Sequence, residues 1–121
     1  MQLFGKNWFL KINVTYEKAK HIFMEINKTS RTQLRDNLIE NAVRYSEMRT
    51  QWYFADRDKR IEIESLRTST HNSFIDSCNI LSRAMLASQE NADWRKHLGD
   101  DRKLIGDFAC YINLFIGLKT A

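Results

Sequence analysis

Leu34-Arg35-Asp36-Asn37-Leu38-Ile39-Glu40-Asn41-Ala42-Val43-Arg44-Tyr45-Ser46-Glu47-Met48-Arg49-Thr50-Gln51-Trp52 is the stretch that decides the fold class. Leu34, Leu38, Ala42, Tyr45, Met48 and Trp52 recur every three or four positions, with Ile39 and Val43 widening the stripe. That is the 3.6-residue period of an α-helix buried along one face; a strand would alternate at every second residue. The spacing predicts a helix capped by Thr29 or Ser30 and running to about Phe54.

The same period extends in both directions. Upstream, Tyr16, Ala19, Phe23 and Ile26 form one apolar face, with Thr15 as the expected N-cap and Asn27 to Ser30 as the break. Downstream, Asp56-Arg57-Asp58-Lys59-Arg60 is a charge-dense junction without glycine or proline, so it fits either a turn or a continuing helix. A third helix is predicted over about 58–88, with its core face in Phe74, Ile75, Cys78, Leu81, Ala84 and Met85. Its first half, with Ile61, Ile63 and Leu66, is thinner in apolar residues. A helix of that length measures about 46 Å, more than shorter helices can cover, so one end is expected to project or to serve a partner. Ser88 to Ala92 reads as a polar loop, Asp93 to Leu98 as a short helical turn, and Gly99 as its stop. Asp100 or Asp101 then caps a last helix reaching about Leu118. Its stripe of Ile105, Phe108, Ala109, Ile112, Phe115 and Ile116 is widened by Leu104, Tyr111, Leu114 and Leu118. A helix apolar on most of its circumference belongs in the middle of a bundle or in a subunit interface.

Only residues 1–14 depart from this pattern. Trp8, Leu10, Ile12 and Val14 alternate as in a strand, yet no second strand is readable for them to pair with. They are read as an N-terminal arm packing on the helices or on a neighbouring chain, and 15–121 as one helical domain.

Composition agrees. The 121 residues include no proline and four glycines, too few for the many tight turns of a sandwich or barrel. A hydrophobic share of 43% suffices for a real core. The expectation is all-α: a single-domain bundle of about four main helices. No secretory leader is read near the start. The longest apolar-rich stretch, Phe108 to Leu118, contains Asn113 and falls short of the roughly 20 residues a membrane span requires. Cys78 and Cys110 lie in helical stripes, which points to reduced thiols and a cytoplasmic location.

Charge is uneven. Residues 1–35 hold seven bases against two acids, residues 36–70 six against seven, and residues 71–121 six of each. The basic excess is N-terminal, where it would face an anionic surface such as nucleic acid.

Two constellations stand out. Asn72, Asp76, Asn79 and Arg83 fall at i, i+4, i+7 and i+11, a polar stripe beside the apolar face of the third helix. It reads either as a ligand site or, more readily, as an internal network in which Asp76 and Arg83 pair with Arg102, Asp107 or Asn113 of the last helix. The second is a patch of Arg49, Trp52, Tyr53, Arg57, Arg60 and Arg67, with Phe54 and Lys59. Trp, Tyr and Arg are enriched at protein hot spots, and the same types can hold phosphates and stack bases. Asp56, Asp58, Glu62 and Glu64 lie in the same stretch and cancel much of its field, which favours a protein partner.

Little points to an enzyme. His21, His71 and His97 lie on separate elements without metal-ligand spacing, and no cofactor fingerprint is present. His71 and Cys78 are about 10 Å apart along a helix, too far for a nucleophile and its base. A small hydrolase built on His71, Asp76 and Asp107 would require the three to converge in a cleft.

The strings from His71 to Arg83, from Trp94 to Lys103 and from Ile105 to Cys110 resemble a family of small uncharacterised proteins of low-GC Gram-positive bacteria, often carried on mobile elements. The family has no activity to transfer, so the resemblance implies no catalytic residue and no cofactor. It implies a setting in which small proteins inhibit or adapt a host protein, phage-borne inhibitors included, and one shared site of Asn72, Asp76, Arg83, Trp94, Arg102 and Asp107. The leading expectation is therefore a helical protein–protein interaction or regulatory module that forms homo-oligomers through its last helix or its arm. The alternative is a nucleic-acid-binding accessory protein using the N-terminal bases and the stretch from Trp52 to Arg67.

Overall fold

A computed structural model describes residues 16–120, with side chains to 118. The 1–14 arm and the Thr15 cap lie outside the described residues. All regular structure among the described residues is helical: α1 (16–27), α2 (Thr32–Phe54), α3 (Arg57–Ala87), α4 (Asp93–Leu98) and α5 (Arg102–Thr120). The chain is all-α, with four main helices and one short one among the described residues. None of these helices is long and apolar enough to cross a membrane.

One core joins the five helices. Ile22 and Ile26 of α1, Leu38 and Ala42 of α2, Phe74 and Leu81 of α3, Trp94 and Leu98 of α4, and Phe108 and Ile112 of α5 are all buried within it. Phe74 and Phe108 sit at its centre with ring centroids 6.2 Å apart. Trp94 is closed in completely, so its indole N–H needs an acceptor and donates to Met85 Sδ at 3.3 Å. At the other end of the bundle, Tyr16 and Phe23 of α1 pack against Tyr111 and Phe115 of α5. The broad apolar face of α5 is thus largely consumed inside the bundle, leaving Leu114 and Leu118 exposed.

Apart from the one at Gly99, the turns are made with side chains rather than glycine. Neither Thr29 nor Ser30 caps α2: Arg31 stands at its N-cap without a side-chain capping bond. Thr29 Oγ1 instead accepts from Arg31 N at 3.1 Å, while Ser30 donates to Glu90 through both its N–H (3.1 Å) and its hydroxyl (2.9 Å). Arg31 Nη2 adds a bond to Ser88 Oγ at 2.6 Å, so the α1–α2 and α3–α4 connections are latched together. Those bonds hold the Glu90 carboxyl below its usual range, the Ser30 hydroxyl being the largest cause.

The charge-dense junction resolves as a turn. Asp56 is the N-cap of α3 and accepts from Lys59 N at 2.8 Å. Arg60 reaches back to the carbonyls of Trp52 (3.0 Å), which also accepts from Ala55 N (3.2 Å), and of Tyr53 (3.2 Å), closing the end of α2. Gly99 ends α4 with φ +73°, and Asp101 rather than Asp100 caps α5, accepting from Lys103 N and Leu104 N.

α2 and α3 form a long antiparallel hairpin. The shared core stops at Tyr45 on α2 and Phe74 on α3. Beyond that level α5 still reaches Ser46, Arg49 and His71, and only from there toward the turn at Ala55 do the two helices have mainly each other.

Candidate functional site

Trp52, Tyr53, Phe54, Arg57, Lys59 and Arg60 sit at the α2–α3 tip; Arg67 reaches Trp52 from farther along α3, and Arg49 lies nearer the core. Trp52 is half-buried, and two guanidiniums lie over its ring: Arg67 at 4.2 Å from the centroid and Arg60 at 5.3 Å. Arg67 also pairs with Glu64 at 3.1 Å. Arg49 turns to α5, where it pairs with Asp107 at 2.8 Å and donates to Cys110 Sγ at 3.6 Å. Burial works against its charge, but the bonds to Cys110 and Asp107 outweigh that and raise its pKa. Arg57 is the one basic member of the patch that makes no hydrogen bond or ion pair among the described residues. The aromatic neighbours of Trp52 face solvent. Tyr53 is 74% exposed and Phe54 80%, their rings meeting edge to face at 5.2 Å, and Ile61 is 69% exposed. Trp52, Arg57, Arg60, Ile61 and Glu64 line an open groove of about 640 Å³ beside them.

The polar stripe of α3 does not assemble as an internal network. Asn72, Asp76 and Arg83 are exposed, and neither the Asp76 nor the Arg83 side chain makes a hydrogen bond or ion pair among the described residues. Asn79 accepts from Arg95 of α4 at 2.8 Å. The α5 residues expected to meet the stripe engage elsewhere. Asp107 is bound to Arg49 and to Lys103, Asn113 donates to Ser46 of α2 at 3.2 Å, and Arg102 meets His71. With Trp94 in the core, the six residues grouped by the resemblance are distributed over several environments. The reason is rotational: among the described residues only α4 reaches the stripe, at Asn79, while Asn72, Asp76 and Arg83 stay exposed and α5 packs chiefly along α2.

His71, Asp76 and Asp107 are likewise not gathered into one cleft. No group of three or more His, Cys, Asp or Glu side chains that could hold a metal ion occurs among the described residues. Cys78 is fully buried, which pushes its thiol up to about 12 and leaves it protonated and inert near neutrality.

A cavity that sequence reasoning missed lies between α2, α3 and the start of α5. It measures about 280 Å³ and is lined by Tyr45, Arg49, Arg67, Thr68, His71, Arg102 and Lys103. Buried His71 packs edge to face on Tyr45, with ring centroids 4.9 Å apart. Its Nδ1 accepts from Arg102 Nη2 at 3.1 Å, and its Nε2 lies 3.4 Å from the Arg102 carbonyl, where it donates. The ring is therefore neutral. Its pKa is lowered by burial first, with the charges of Arg102 and Arg67 acting in the same direction against a raising hydrogen bond to Arg102. Gly106 makes the close packing of Arg49 and Tyr45 on α5 feasible: a Cβ there would meet both at 3.2 Å.

Comparison of the chain with family models, curated proteins and solved structures finds no match. The functional reading therefore rests on the geometry above.

Proposed function

We propose that the chain is a protein–protein interaction or regulatory module that engages its partner through the α2–α3 tip. The observation that carries this reading is the exposure of Tyr53, Phe54 and Ile61 together, on a hairpin end that the shared core does not reach. Three large apolar side chains held in water beside a groove cost free energy in the isolated molecule, and an apolar protein surface recovers it, at about 25 cal/mol per Å² buried. Arginines around an aromatic centre are typical of interface hot spots. Steric occlusion or recruitment of the bound protein is the mechanism that such a surface supports.

The nucleic-acid alternative is less well served by this end. A base needs a free aromatic face and the phosphates need free cations, but Trp52 is covered by Arg60 and Arg67, and the basic groups other than Arg57 are engaged within the chain. Asp56, Asp58, Glu62 and Glu64 offset what charge remains.

The test compares wild type with a Tyr53→Ser, Phe54→Ser, Ile61→Ser variant in affinity capture from lysate, each split into nuclease-treated and untreated halves. The expected result is a protein partner retained after nuclease treatment, lost in the variant, with the variant's melting temperature unchanged. Nucleic acid in the untreated half, with partners that vanish on nuclease treatment, supports the alternative instead. Size-exclusion chromatography with light scattering over a dilution series reads self-association separately.

A further inference from the structure

The tip does not account for the cavity at the start of α5. No carboxylate lines it, whereas four cations do: Arg49, Arg67, Arg102 and Lys103. Two carboxylates partner them from outside the lining, Asp107 shared between Arg49 (2.8 Å) and Lys103 (3.4 Å), and Glu64 on Arg67 (3.1 Å). That leaves two positive charges uncompensated. Arg102 is without a carboxylate partner among the described residues and is steadied by neutral His71 instead. Arg67, over Trp52 and paired with Glu64, is incompletely bonded as well. Its Nε is the one side-chain polar atom among the described residues that is shut off from solvent and makes no hydrogen bond.

We propose that this cavity is a binding site for a phosphate-class dianion, held by Arg67, Arg102 and Lys103, with His71 as the residue that positions Arg102. The match is one of charge and size. Two uncompensated cations meet a ligand of charge −2, guanidinium forks fit tetrahedral oxyanions, and the volume lies near the small end of ligand pockets. Apolar and cationic ligands are both disfavoured by a wall so rich in guanidinium. The same chemistry is presented by a free phosphate compound and by the terminal phosphomonoester of a nucleic acid, and the experiment separates them.

The folded protein is titrated at constant ionic strength with inorganic phosphate, then pyrophosphate, and then a short single-stranded oligonucleotide bearing a 5′-phosphate. Binding is followed calorimetrically and through the ring resonances of His71. The expected result is saturable binding of at least one probe that moves the His71 resonances. Arg102→Gln should weaken it by about tenfold or more, the loss of one hydrogen bond to a charged group. Lys103→Ala should weaken it less, and exposed Lys96→Ala not at all. Whichever probe binds tightest names the source of the phosphate. The site is overturned if no probe gives saturable binding, or if Lys96→Ala and Arg102→Gln weaken it equally. All three substitutions leave the tip side chains in place, so failure here is independent of the partner-binding test.

Discussion

At the core end of the α2–α3 hairpin, Leu38, Ala42, Phe74, Cys78 and Leu81 are closed in by α1, α4 and α5. At the tip, Met48 and Ile63 are the buried apolar side chains, and both lie outside the shared core. The two ends are continuous pieces of the same helices, so helix propensity does not distinguish them. Their partners do. The core end is held by apolar surface removed from water. The tip is held by Asp56 capping α3, by Arg60 capping α2, and by two guanidiniums lying over Trp52. A hairpin end secured by polar closure needs no apolar cover from a third helix. That is what leaves Tyr53, Phe54 and Ile61 free to meet another molecule.

The sharpest way to break this contrast is to delete one phenylalanine ring at each end. Phe74→Ala empties a fully buried site against Phe108 and is expected to lower stability by about 3–5 kcal/mol in urea denaturation. Phe54→Ala should change it by no more than about 0.5 kcal/mol, the usual range for exposed positions. A large loss from Phe54→Ala would mean that the tip is folded against something the hairpin itself supplies, and the proposal of a free docking face would fall.

A smaller effect tests the tip's own closure. Trp52→Ala removes the platform under Arg60 and Arg67, where cation–π contacts are worth about 0.5–2 kcal/mol each. A net loss of about 1–2 kcal/mol is expected. More diagnostic is its location: amide hydrogen exchange should quicken around the Ala55 turn and stay protected around Phe74 to Leu81. Uniform acceleration would show that the hairpin opens as one unit with the core.

Much of the fold was legible in the sequence because its signals are local. The stripe Leu38, Ala42, Tyr45, Met48 is buried as its period requires, α3 spans nearly the expected residues, and Gly99 and Asp101 close and open their helices. The latch of Ser30 to Glu90 and Arg31 to Ser88 was not legible, because it joins residues about sixty positions apart whose only local signal is polarity. The cationic cavity escaped for the same reason. Arg67 and Arg102 look like unrelated surface charges until α5 packs beside the hairpin. The aromatic patch was legible as a set of residue types. That Arg60 and Arg67 are spent on Trp52, and Arg60 on backbone carbonyls as well, is a fact of the turn's geometry.

The α3 polar stripe shows the limit most clearly, and the smallest predicted effect follows from it. A helical period says that Asn72, Asp76 and Arg83 share a side of the helix; it cannot say whether another element covers that side. Had α5 faced it, Asp76 would be a buried anion whose removal left a cation unpaired, a loss of about 3–5 kcal/mol. With Asp76 exposed and unbonded among the described residues, Asp76→Ala should shift stability by no more than about 0.5 kcal/mol. Asp107→Asn, which weakens the half-buried pair with Arg49, should cost measurably more in the same denaturation series. If the order of the two variants is reversed, α3 is rotated in solution relative to this structure, and the exposure of the α2–α3 tip would have to be read again.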